Sequence, residues 1–437
     1  MRICNDVGGP TKYVDDKDGK QTAAYLCNSA KAGITGNFPA TQKFIVVKRD
    51  EDGSFAGVGP VLQRGYNALG VNTGGLNFID LTQCSTGANP TCHYIKPDFT
   101  NGAAVIPDAG VTDVETNIWR GRGQFPFAGA PTSGPSTIKS KFAAQGFGVA
   151  VTEKLYDALQ TAQGLSGCSG NYAAGACQPS ISKAQYTSIV AQAGSTHTDW
   201  SPILGTIGIG KPVNLCRRVS TSGTQASSDV AFLSNPCSNA NPTFGALAVA
   251  TKDDSFPGEF HVFENSSTGN VKNCLNYRNN GFDNTTTGSF TTTAGEVISN
   301  NESTEGTFAI GWVSLENVPA AGTGPIVTGP ASAVAPGDKW KFVKLSGVSP
   351  NLDLKQRQTS IDMNYNDVFE FEALWRNDIG GARIGFMNAF VTKLSNPNLV
   401  DLTGIYVVSN GSTFTNALFP SHVGKGTRSG NSCSPLR

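Results

Sequence analysis

The chain has 437 residues, with 33 basic and 33 acidic side chains and only 15% charged residues in total. That length allows two or three domains and a sizeable buried core. The balanced charge excludes a nucleic-acid-binding stripe or a polybasic membrane patch, so any anion site must be local.

No apolar run approaches the ~20 residues that span a bilayer. No secretory leader precedes Met1-Arg2-Ile3-Cys4, which already reads as folded material, so a removed leader or a late start is expected. The abundance of Gly, Ser, Thr and Asn, with few charges, has the look of a secreted protein. Ten cysteines fit that compartment: Cys4, Cys27, Cys84, Cys92, Cys168, Cys177, Cys216, Cys237, Cys274 and Cys433. There is no CxxC and the four histidines are scattered, so disulfides rather than a metal are expected. Order along the chain suggests local loops, Cys4–Cys27, Cys84–Cys92, Cys168–Cys177 and Cys216–Cys237, with Cys274–Cys433 as a long-range pair. Connectivity is not fixed by sequence.

Phe44-Ile45-Val46-Val47-Lys48 reads as a buried strand ended by a turn at Asp50–Gly53. Ala104-Val105-Ile106 is a strand end running into the polar loop Asp108–Glu115, where Asp108 is expected to cap or orient the loop. Phe147–Val151 is a second buried strand. From Thr152 a helix follows, with Leu155, Tyr156 and Leu159 on one face. Ser182 and Gln185 have capping-box spacing ahead of a helix with Tyr186, Ile189 and Val190 on its apolar side.

The most informative stretch is Cys216-Arg217-Arg218-Val219-Ser220-Thr221-Ser222-Gly223-Thr224. Two arginines enter a Ser/Thr/Gly loop, and Ala226, Val230 and Leu233 follow at helical spacing. A helix starting near Thr224 would aim its free N–H groups and positive dipole end at whatever the loop holds. Taken alone, these residues are better described as an ordinary helix cap beside solvated arginines; the rest of the chain changes that balance. On an extended segment Arg217 and Arg218 face opposite ways, leaving Arg217 for a surface or ion-pair role.

Residues 265–306 and 319–337 read as long surface loops or insertions, rich in Asn/Thr/Ser/Gly and Pro/Gly/Ala respectively. Asn265, Asn284, Asn301 and Asn410 open Asn-x-Ser/Thr triplets, which accept glycans only in a suitable host. Phe308–Leu315 reads as a strand. Trp340–Leu345 and Val368–Glu372 alternate, as strands with one wet face do. Trp312, Trp340 and Trp375 read as packing aromatics. Strands alternating with helices give an α/β fold with mixed, mainly parallel sheets flanked by helices and disulfide-stapled loops.

Several of these segments together resemble a known family. Arg218-x-Ser220-Thr221-Ser222-Gly223-Thr224 resembles the R-x-D-G-S-G-T loop of periplasmic phosphate-binding proteins, class II solute-binding proteins that serve ABC transporters. Asp108-Ala109-Gly110-Val111-Thr112-Asp113 is similar to that family's D-x-G-x-S-D loop. Phe147–Thr152 resembles its crossover strand, and Ser180–Gln185 with Trp200-Ser201-Pro202-Ile203 its L-x-x-I-F-x-G…W helix. Gly311-Trp312-Val313-Ser314 resembles its I-G-Y-V strand. The motifs keep the family's order over roughly residues 100–375.

The resemblance implies a two-lobed, class II periplasmic-binding-protein-like fold. Lobe one would comprise 1–146 plus 360–437, and lobe two 147–359. It implies a phosphate-like oxyanion held by Arg218, Ser222, Gly223, Thr224, Thr112 and Asp113, with a membrane permease as partner and a periplasmic or extracellular location. Asp113 would favour a ligand that still carries a proton.

Two departures stand out. Ser220 occupies the place of the family's aspartate, and no first strand with a Gly/Ser/Thr loop precedes Cys4. The second departure motivates an alternative: an extracellular filament or layer subunit with a degenerate site, self-associating through an incomplete N-terminal sheet edge. No cofactor, metal, nucleic acid or enzymatic activity is expected; no Ser/His/Asp constellation or G-x-S-x-G elbow is present.

Overall fold

A computed structural model of the chain describes residues 9–16, 22–29, 43–49, 53–63, 78–95, 107–121, 137–191, 199–237, 260–280, 289–291, 297–299, 308–317, 319, 338–350, 364–395, 405–407, 427–428 and 431–435. The expected strand end Ala104–Ile106, the glycosylation triplets at Asn284, Asn301 and Asn410, and nearly all of 319–337 lie outside these residues.

In chain order the structure opens with strands β1 (Thr11–Asp15), β2 (Thr22–Cys27) and β3 (Phe44–Arg49), then helix α1 (Gly53–Gln63) and strands β4 (Phe78–Cys84), β5 (Thr91–Ile95) and β6 (Ala109–Thr112). Helix α2 (Thr116–Gly121) precedes the long strand β7 (Thr137–Thr152), helix α3 (Glu153–Ala162), β8 (Ser180–Ile181), α4 (Lys183–Val190) and α5 (Ser201–Leu204). Then follow β9 (Val213–Arg218), α6 (Gly223–Leu233), β10 (Phe260–Asn265), α7 (Thr268–Asn280), β11 (Ser289–Thr291), β12 (Val297–Ser299) and β13 (Ala309–Ser314). The chain closes with β14 (Trp340–Phe342), β15 (Lys344–Leu345), β16 (Val368–Arg376), α8 (Gly381–Leu394) and β17 (Ile405–Val407).

Contacts divide the chain into two compact units: Met1–Thr112, Gly123–Phe142 and Phe371–Leu399 in the first; Asp113–Arg122, Ala143–Glu370 and Val400–Arg437 in the second. Strands β7 and β16 carry the chain from one unit to the other.

In the first unit, a five-stranded sheet has the order β3-β2-β1-β5-β4, with only β1 and β5 parallel. One face buries Cys27 against Phe44, Phe386 and Ala389, the last two from α8. A second cluster joins Ala24, Ile79 and Cys92 to Tyr13, Leu81 and Cys84. Elsewhere in this unit α1 lies directly on β6. A Cβ on Gly110 would collide with the carbonyl oxygen of Gly57, so only glycine permits this approach.

In the second unit, β10, β9 and β13 form a parallel ladder, and β7 joins β13 antiparallel. Strands β14 and β17 also pair with β7 antiparallel. Helix α7 covers one side, packing Val271, Cys274 and Leu275 into a core with Cys216, Phe263, Val313, Trp340 and Phe342. On α6, Phe232 lies 4.5 Å from Tyr186 of α4 and 5.0 Å from Trp312 of β13, measured between ring centres. Burying an aromatic side chain of this kind contributes about 1.5–3 kcal/mol.

The local predictions that hold have identifiable causes. Thr152 caps α3 by accepting from the Leu155 amide, and Leu155, Tyr156 and Leu159 are buried. Ser182 and Gln185 make both bonds of the capping box at the start of α4. The Trp340–Leu345 region keeps Trp340, Phe342 and Leu345 inward with Lys341 and Lys344 only half-buried.

Four expectations are corrected. Among the described pairings eight are antiparallel and four parallel, so the sheets are mixed rather than mainly parallel. The stretch 265–306 is not simply a loop: it carries the thirteen-residue helix α7, whose Val271, Cys274 and Leu275 recur at i, i+3 and i+4. Strand β16 has no wet face at Glu370, which is 1% exposed because Thr427 and Arg428 satisfy its carboxylate. Strand β3 forms where expected but is not buried, since Ile45 and Val47 are 43% and 37% exposed; of the turn expected after it, residues 50–52 lie outside the described residues.

The disulfides are partly corrected too. Cys84–Cys92 and Cys168–Cys177 staple local loops as expected. However, Cys216 pairs with Cys274, and Cys237 with Cys433. Cys216 lies inside β9 facing α7, whereas Cys237 lies past the end of α6, so proximity in sequence misleads here. Cys27 is also disulfide-bonded, and Cys4 lies outside the described residues.

Candidate functional site

Parallel pairing brings the carboxyl ends of β9, β10 and β13 to one edge. Cys216 lies between Phe263 and Gly311 in register, and Arg218 lies opposite Asn265. Loops leaving this edge lead into helix N-termini, the arrangement that places ligands in open α/β sheets.

Past Arg218 the chain turns tightly: the Val219 amide donates to Asn265 O (3.0 Å) and the Ser222 amide to Val219 O (3.0 Å). Ser222 is extended (φ −79°, ψ 136°) and its carbonyl accepts from the Ala226 amide at 2.9 Å, so α6 starts at Gly223. The Ser222 side chain makes no capping bond. Among the described residues, the amides of Gly223, Thr224 and Gln225 therefore have no acceptor. All three residues are buried. A buried helix N-terminus with unpaired donors is a place for a negatively charged group.

The arginine pair splits as strand alternation requires. Arg217 reaches across to Glu264 on β10 at 3.2 Å. Arg218 is 9% exposed; its Nη1 donates to Thr268 Oγ1 (2.9 Å) and its Nη2 to Ser266 O (2.8 Å). These bonds tie it to the start of α7, and its buried Nε keeps no hydrogen-bond partner. Burial pushes the Arg218 guanidinium down to about 10, opposed by the carboxylate of Asp113, so it remains charged at neutral pH. Asp113 belongs to the same unit and is half-buried in the loop after β6.

One residue absent from the sequence reading joins this neighbourhood. Glu316, just past β13, accepts from Ser314 Oγ at 2.9 Å and from Asn317 Nδ2 at 3.4 Å. The residue is exposed, yet partial desolvation by the protein around it raises its carboxyl above the usual range. Ser314 opposes that rise, Asp113 adds to it and Lys272 counters it. Its signal was weak, since a lone glutamate after a strand is usually solvated.

Thr224 is 4% exposed and Ser222 1%, so both hydroxyls are withdrawn from bulk water. Ser220, in the aspartate position of the resembled motif, is exposed. Thr112 is fully buried at the end of β6, opposite Glu372, and belongs to the first unit, whereas Arg218, Ser222, Gly223, Thr224 and Asp113 all belong to the second. Below the helix, Ser227 Oγ donates to Thr224 O (2.7 Å) and accepts from Trp312 Nε1 (3.0 Å), which fixes α6 on β13. Asn265, the first glycosylation triplet, is fully buried, with its amide donating to Arg217 O and Phe263 O; it presents no acceptor in the folded chain. Among the described residues no cluster of His, Cys, Asp and Glu is arranged to hold a metal ion, and no helix is long and apolar enough to cross a membrane.

No protein-family model matches the chain, and no curated protein matches it. Solved structures that align with it include an ABC-type phosphate transport receptor from Vibrio cholerae, at 13% identity over 69% of this chain and 77% of that one, with a TM-score of 0.32. The phosphate-binding protein from Stenotrophomonas maltophilia aligns at 12% identity over 68% and 71%, with a TM-score of 0.35. PstS from Borrelia burgdorferi aligns at 10% identity over 68% and 76%, with a TM-score of 0.29. Scores this low do not establish a shared fold.

Proposed function

We propose that this protein binds a small tetrahedral oxyanion of the phosphate class at the junction of β9 and α6. The observation that carries this reading is the buried, uncapped N-terminus of α6, where the Gly223, Thr224 and Gln225 amides lack acceptors. Arg218 supports it with a buried, unpartnered Nε four residues before Ser222. An anion here would fill open donor positions rather than displace bonds already made, which is what makes such a site favourable.

Ser222 and Thr224 supply rotatable hydroxyls, and Gly223 lets the ligand approach the backbone. Asp113 accepts but cannot donate when ionised, so it favours a ligand with a protonated oxygen and disfavours sulfate. The protein then acts as a solute-binding component in the periplasm or outside the cell, handing its ligand to a membrane permease. Disulfides support that oxidising location.

Titration calorimetry with phosphate, arsenate and sulfate tests the reading. Phosphate and arsenate should bind and sulfate should not. Absence of heat with all three oxyanions overturns the assignment, and turnover of a chromogenic phosphate ester would point to an enzyme instead.

A further inference from the structure

The C-terminal residues 427–428 and 431–435 take no part in the anion site, yet they hold one of the most densely bonded side chains in the second unit. Arg428 is 8% exposed. Its Nε donates to Val368 O (2.7 Å), its Nη2 to Asn366 O (2.5 Å) and its Nη1 to Ser434 O (2.6 Å). Its plane lies 4.7 Å from the centre of the Phe369 ring. The Arg428 amide and the Thr427 hydroxyl both donate to the carboxylate of Glu370 (3.1 and 2.7 Å). Every one of these partners on β16 or just before it lies immediately ahead of the point where the chain passes from the second unit to the first, between Glu370 and Phe371.

A covalent bond fastens the same segment at its other end. Cys433 is joined to Cys237, 196 residues away in sequence and just past α6. Cys433 is exposed and Cys237 half-buried. Cys216, Cys274, Cys168 and Cys177 are all buried, and the Cys84–Cys92 bridge has one fully buried sulfur. Access to an attacking thiolate governs how readily a disulfide exchanges. Among the described bridges, Cys237–Cys433 is therefore the one most open to attack.

The charges around Arg428 make the fastening consequential. Asp367, Glu370 and Glu115 all act on this one guanidinium, and each is at most 6% exposed. Lys183 also acts on Asp367. Lifting the strap would take Arg428 away from these buried carboxylates and leave Asp367 with Lys183, so the socket on β16 would register its release.

We propose that the segment carrying residues 427–428 and 431–435 is a redox-releasable strap: a dithiol reductant opens Cys237–Cys433 before the other described disulfides, and the opening frees Arg428 from its socket on β16. In the exchange the protein disulfide takes up two electrons and two protons and becomes two thiols, while the dithiol closes to its own disulfide.

The test uses the intact oxidised protein, a graded series of dithiothreitol, alkylation of new thiols, and brief native trypsin digestion read by mass spectrometry. Cys237 and Cys433 should be alkylated first. Cleavage after Arg428 should accelerate by at least about tenfold at the same reductant concentration, since proteolysis follows the population of the opened segment. The far-ultraviolet circular dichroism should stay unchanged. Opening of another described bridge first, or an Arg428 still protected when Cys237 and Cys433 are alkylated, overturns the proposal. A Cys433→Ser variant should expose Arg428 without reductant; protection equal to the parent's overturns it as well. Should that variant fail to fold, the reduction series, which starts from folded protein, decides alone. None of these readouts depends on oxyanion binding.

Discussion

At the scale of single residues, the two adjacent arginines show how one strand assigns opposite roles to like side chains. Arg217 is pinned to Glu264 across β9 and β10, while Arg218 turns into the protein and bonds to Ser266 and Thr268 at the start of α7. Arg218→Met should weaken phosphate binding by about ten- to a hundredfold, the worth of one charge-assisted donor set, as read by calorimetry. Arg217→Met should leave that affinity unchanged while lowering stability by about 1–3 kcal/mol in urea unfolding, because the ion pair it breaks with Glu264 is largely buried. Asp367 makes a different prediction. Burial raises its carboxyl above 3.8, with Lys183 and Arg428 pulling the other way. A raised carboxyl pKa means the folded state holds the proton more tightly than the unfolded one, so stability is lost as pH rises through and above 3.8. Asp367→Asn cannot ionise and should therefore unfold at higher denaturant concentration than the parent at pH 7. The gap should close as pH falls through 3.8.

At the scale of elements, two helices with similar entrances behave differently. The start of α4 is fully capped by Ser182 and Gln185. Ser182→Ala should cost about 1 kcal/mol in urea unfolding. The start of α6 has a serine in the same place that caps nothing. Ser222→Asp would put a carboxylate against the unpaired amides. It should stabilise the fold by about 0.5–1 kcal/mol and abolish oxyanion binding, because the new side chain occupies the ligand's donors. A destabilised variant that still binds phosphate would show that those amides are not the site. The capping box of α4 was legible from sequence because both partners lie three residues apart. Helix α7 was not: its many Asn residues obscured Val271, Cys274 and Leu275, whose spacing was the available signal. The bonds from Arg218 to Ser266 and Thr268 were hidden with it.

At the scale of the whole molecule, each of the two compact units is assembled from chain segments far apart in sequence, and covalent links fasten distant elements within the second. Cys216–Cys274 joins β9 to α7 beneath Arg218, and a Cβ on Gly311 would stand 2.5 Å from the Cys216 carbonyl, so β13 can run close beside this bridge only with glycine there. Loop-entropy reasoning gives the 196-residue closure by Cys237–Cys433 about 5 kcal/mol in the chain-entropy treatment. Sequence by itself determined what depends on near neighbours: the strands at Phe44 and Phe147, the caps at Thr152 and Ser182, the start of α6 close to Thr224, the opposite faces of Arg217 and Arg218, and the local bridges Cys84–Cys92 and Cys168–Cys177. Only the tertiary structure decided which distant groups meet: Cys216 with Cys274, Arg218 with Thr268, Arg428 with Glu370, and the antiparallel majority of the sheet pairings. The physical reason is range. Helix caps and strand alternation act over two to four residues, whereas disulfide partners, buried ion clusters and strand order are selected by packing between segments more than 250 residues apart in the case of Trp375 and Ala109.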